Sequence, residues 1–63
     1  MDYEKYRKQK NGESNFKKDL FKEYGVLNNP KAEQCYNIAY EFGHSDGYYE
    51  ITRYFSDIVE LIK

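Results

Sequence analysis

One cysteine, one proline, one histidine and no tryptophan occur among the 63 residues, and each scarcity closes off a class of explanation. With Cys35 alone, no internal disulfide can brace the chain. Cys35 and His44 are the only strong soft metal ligands and have no second pair, which excludes a structural zinc site. No stretch approaches the roughly 18 apolar residues of a membrane span. Met1-Asp2-Tyr3-Glu4-Lys5 lacks the apolar centre of a signal peptide. A cytoplasmic protein with a reduced Cys35 and no membrane partner is the expectation.

Chemistry-bearing motifs are missing as well. The phosphate-cradling, dinucleotide-binding and His-Glu-x-x-His patterns do not occur. Ser45 neighbours His44 in sequence, which does not aim its hydroxyl at the ring. The chain is therefore expected not to be an enzyme, with no catalytic residue, metal or cofactor.

Charge is nearly balanced overall but unevenly placed. Residues 1–31 carry eight Lys/Arg and five Asp/Glu, a net of +3, whereas residues 32–63 carry two and six, a net of −4. The basic half interleaves lysines with Tyr3, Tyr6 and Phe16, a minimal nucleic-acid footprint. The acidic second half would repel a duplex, so nucleic-acid binding as an accessory protein ranks third among the functional readings.

Residues 1–12 are polar and end in Asn11-Gly12, a turn signal. They read as a frayed helix or mobile basic arm ahead of a single helical domain, residues 13–63. Ser14 or Asn15 can cap a short helix over about 15–24, with Phe16, Leu20, Phe21 and Tyr24 on one face. Gly25 followed by Val26, with Phe21 four positions before Gly25, is the pattern of a Schellman stop. Asn29-Pro30 then opens a second helix, with Asn29 as cap and Pro30 in its first turn.

What the chain has in abundance is periodicity. Tyr36, Tyr40, Gly43, Gly47, Ile51, Tyr54, Ile58 and Leu61 follow one another at spacings of three and four. On a helical projection they stay within roughly 80° of one another. Before Gly43, the extra apolar residues Cys35, Ile38, Ala39 and Phe42 fall to one side of this stripe. After Gly47, Tyr48, Phe55, Val59 and Ile62 fall to the other. The unbroken phase predicts an all-α protein with one long helix over about 30–62, continuous or kinked at 43–47. The alternative is a hairpin turning there.

A helix of that length is about 50 Å long, against a radius of gyration of about 11 Å for a compact chain of this size. The short first helix could not cover it. A helical homo-oligomer is therefore expected, with the eight stripe residues as its interface and the two glycines at a helix crossing. Eight tyrosines suit such wet interfaces, since each offers a flat apolar face and a hydroxyl. His44, Tyr48, Tyr49 and Arg53, with Lys17, Lys18 and Lys22 from the first helix, are the candidate residues for a ligand or partner. Arg53 also lies within helical reach of Glu50 and Asp57, the pattern of a solvated salt bridge.

The segment Tyr40-Glu41-Phe42-Gly43-His44-Ser45-Asp46-Gly47-Tyr48-Tyr49-Glu50-Ile51, running on to Ile58-Val59-Glu60-Leu61-Ile62, resembles small uncharacterised proteins of tailed bacteriophages, as does Asn29-Pro30-Lys31-Ala32. The resemblance covers about half the chain and implies a setting, the host cytoplasm, rather than a chemistry. In that setting the leading expectation is a counter-defence inhibitor that binds a host protein. The alternative is sequestration of a small phosphorylated ligand, such as a nucleotide immune signal, in pockets between subunits.

Overall fold

The computed structural model describes residues 2–63, and these fold into helices without a strand. In chain order the helices are α1 (Tyr3–Lys8), α2 (Gly12–Glu23), α3 (Ala32–Gly43) and α4 (Tyr48–Val59), with a short 3-10 turn at His44–Asp46 joining the last two.

Residues 3–8, within the expected arm, form a helix docked on the rest of the molecule. Asp2 caps it by accepting from the Glu4 N–H at 3.2 Å. Tyr6 is 3% exposed, and its hydroxyl donates to the Asp19 carboxylate of α2. The turn back is tight. A β-carbon at Gly12 would stand 1.7 Å from the Tyr6 carbonyl oxygen, so only glycine lets the start of α2 cross the end of α1. This crossing starts α2 at Gly12, three residues before the expected 15. Ser14 and Asn15 lie inside the helix and do not cap it.

The stop of α2 matches its sequence pattern. The Val26 N–H bonds Phe21 O at 2.9 Å and the Gly25 N–H bonds Lys22 O at 3.2 Å, the paired bonds of a Schellman motif. Val26 and Phe21 are both buried. Asn29 does cap backbone, but its side chain accepts from the Lys31 N–H at 2.9 Å, and Pro30 sits in a turn ahead of α3.

The single long helix over 30–62 is corrected: the chain breaks at 43–47 and α4 folds back along α3. Gly47 takes φ 99°, a conformation that disfavours side chains, and a β-carbon at Gly43 would lie 2.8 Å from the Ile51 backbone nitrogen. Gly43 thus does mark a close approach, between two helices of one chain, whereas Gly47 serves the turn through its positive φ. The buried faces are Ala32, Cys35, Tyr36, Ala39 and Gly43 on α3 and Ile51, Phe55 and Val59 on α4. Of the stripe, Tyr36, Gly43 and Ile51 are interior, whereas Tyr40 and Leu61 are exposed. Continuity of phase across the break misled because each short helix carries its own apolar face, and the supposed flanks, Cys35 and Ala39 before the turn and Phe55 and Val59 after it, meet when the chain reverses.

Aromatic rings fill the middle. Phe16 is fully buried, with Tyr48 at 4.5 Å, Tyr6 at 5.5 Å and Tyr36 at 6.3 Å between ring centroids. Phe21 stacks on Phe55 at 5.6 Å. The radius of gyration is 10.8 Å, as for a compact chain that closes its own core. The uncovered rod from which assembly was inferred is therefore not present. No helix among the described residues is long and apolar enough to cross a membrane.

Candidate functional site

Two surfaces stand out, on opposite sides of the α3–α4 hairpin. The first is a groove running from the end of α1 across the start of α2 to α3. It consists of two adjoining clefts of about 180 and 570 Å³ that share Glu13 and Tyr40. The smaller holds Arg7, His44 and Tyr48; the larger holds Lys10, Ser14, Lys17, Tyr36 and Asn37.

Backbone ends position these groups. His44 follows the last residue of α3, and its Nδ1 lies 2.9 Å from Tyr40 O. A carbonyl can only accept, so in this contact Nδ1 carries the hydrogen and donates. The same placement stacks the imidazole on the Tyr40 ring, with centroids 5.0 Å apart and planes 14° apart. Arg7 reaches over Gly47 and also pairs with Glu4 at 3.5 Å. Lys17 bridges to Glu33 and lies 5.4 Å from the Tyr36 ring centroid. Burial, followed by the negative charge of Glu13, pushes the Tyr36 hydroxyl above the ordinary tyrosine value, so it stays protonated.

The second surface is apolar. Phe42 of α3 is 64% exposed and packs on Tyr54 of α4 with ring centroids 5.8 Å apart. One turn away along each antiparallel helix lie Ile38, 44% exposed, and Ile58, half-buried; Leu61, 84% exposed, sits in the turn after α4, its N–H bonded to Ile58 O at 3.0 Å. Arg53 lies over the Tyr54 ring at 4.9 Å and pairs with Glu50 at 2.9 Å, the bridge its spacing predicts. Tyr54, Ile58 and Leu61, three of the eight expected interface residues, belong to this ridge.

The expected ligand residues do not form one cluster. His44 and Tyr48 share the smaller cleft and Lys17 joins them in the larger one. Tyr49 is exposed and packs edge-on against Tyr3, and Arg53 belongs to the ridge. Lys22 lines a separate cleft with Lys5 and Asp19, and Lys18 is exposed outside the groove. Sequence reasoning assigned Arg7 and Lys10 to partner contact by the basic arm; it missed Glu13 and the placement of all three in one groove. The Asn11-Gly12 turn was the available signal, since a tight reversal there must lay Arg7 and Lys10 beside the start of α2.

No curated protein and no solved structure matches the chain. A family of unknown function, DUF8546, matches it over residues 1–63, and the chain belongs to that family.

Proposed function

We propose that the protein is a non-catalytic binding module that works through protein contacts on the α3–α4 ridge. The observation that carries this reading is the exposure of Ile38, Phe42 and Leu61 beside half-buried Tyr54 and Ile58, on a molecule whose core is already closed. A continuous apolar row of this kind normally marks an interface. In this reading a second copy covers the ridge and gives a homo-oligomer, with Tyr54, Ile58 and Leu61 meeting their counterparts across a two-fold axis. The resemblance of residues 40–62 to small tailed-phage proteins supports a counter-defence role in which the assembly binds a host protein through its tyrosine-rich exterior.

Sedimentation of the wild type and of a Phe42→Glu, Leu61→Glu double variant tests the assembly. The wild type is expected to associate at micromolar concentration. The variant is expected to sediment as a monomer with unchanged helical circular dichroism, because both side chains are exposed. A monomeric wild type overturns self-association. A host protein retained equally by both forms removes the ridge, directly or through assembly, from host-protein binding.

A further inference from the structure

The smaller cleft supports an inference that does not rest on the ridge. It lies where the helices converge: Arg7 comes from α1, Glu13 from α2, Tyr40 from α3, His44 from the 3-10 turn, and Tyr48 and Ile51 from α4. Two opposite charges line it without pairing with each other. The Arg7 guanidinium lies over Gly47, where a β-carbon would stand 3.4 Å from Nη2. Its ion pair among the described residues is with Glu4 at 3.5 Å, both side chains being more than half exposed. Such a pair holds Arg7 only weakly in water. Glu13 forms no salt bridge among the described residues. Its charge reaches the Tyr36 hydroxyl on α3, which places the carboxylate on the groove side of α2. The rest of the wall is aromatic and apolar, led by the Tyr40–His44 stack.

The geometry points to a free α-amino acid with a single aromatic ring, such as phenylalanine, as the ligand of this cleft. Its carboxylate accepts from the Arg7 guanidinium, whose planar fork suits that group. Its ammonium donates to Glu13. Its ring lies on the Tyr40–His44 face, with Tyr48 and Ile51 beside it. The cleft volume of about 180 Å³ suits a ligand of this size, since drug-sized molecules occupy roughly 300–1,000 Å³. A simple carboxylate or amine would answer one charge and leave the other without a partner. Bound in this way, the amino acid ties α1 and α2 to the α3–α4 turn. Nothing is converted.

NMR titration of the isotope-labelled full chain with L-phenylalanine up to about 10 mM tests this. Saturating shifts are expected at the amides of His44, Gly47 and Tyr48. Phenylpropionate lacks the ammonium, phenethylamine the carboxylate and L-alanine the ring, and each is expected to bind about fivefold more weakly or worse. No saturable shift at those amides over that range overturns the proposal. So does any of the three analogues binding as tightly as phenylalanine. Arg7→Gln and Glu13→Gln alter exposed side chains and are expected to leave helical circular dichroism unchanged. Each should weaken phenylalanine binding about fivefold or more. A variant that keeps the wild-type affinity removes its charge from the site and overturns the two-point seating.

Discussion

At the scale of single residues, two glycines hold helix crossings that no other side chain would allow. The space at Gly12 is closed by the backbone oxygen of Tyr6, and that at Gly43 by the backbone of Glu50 and Ile51. Neither obstacle is the end of a flexible side chain, so the helices themselves would have to separate. Gly12→Ala and Gly43→Ala are each expected to destabilise the fold by about 1–3 kcal/mol, Gly12→Ala the more, despite alanine's better helix propensity. Urea denaturation reads this directly. A neutral or stabilising Gly12→Ala would mean that α1 does not cross α2 as described.

At the scale of elements, α1 is short enough that its own hydrogen bonds cannot hold it. Tyr6 does so by burying its ring against Phe16 and Tyr48 and donating its hydroxyl to Asp19. Tyr6→Ala is expected to cost about 3–5 kcal/mol. Tyr6→Phe should cost about 1–3 kcal/mol, because it removes only a hydrogen bond to a charged group. Deletion of residues 2–10 should accordingly lower helicity and cooperativity in a thermal melt. A truncated chain that melts like the wild type would restore the reading of this segment as a solvated arm. The α3–α4 hairpin carries the remaining burden, and its turn is where periodicity gave the wrong long-range answer while correctly marking each helix.

At the scale of the whole molecule, the fold of a 63-residue chain without a disulfide rests on a close-packed aromatic core. That dependence carries a pH signature. Burial and the hydrogen bond to Asp19 push the Tyr6 hydroxyl from about 10 up to about 12, and burial raises Tyr36 as well. Between those values the unfolded chain has lost the Tyr6 proton that the folded chain keeps. The associated stability is fully present below pH 10 and is lost as pH rises toward 12. Urea midpoints measured from pH 9 to 12 should therefore fall, and Tyr6→Phe should fall less steeply. Parallel slopes would place the alkaline sensitivity elsewhere.

The sequence by itself determined the all-helical class, the Schellman stop at Gly25–Val26 and the pairing of Arg53 with Glu50. Each depends on neighbours within a few positions, where residue type sets backbone geometry or reach. It also marked 43–47 as the place where the chain was either continuous or reversed. Only the tertiary structure decided between them, because helical phase fixes directions around one axis and carries no information about whether that axis turns back. For the same reason the groove was illegible. Lys10 and Glu13 flank the start of α2 while Tyr36 and Tyr40 lie on α3, and the two pairs share a surface only after the aromatic core has drawn α3 across the start of α2.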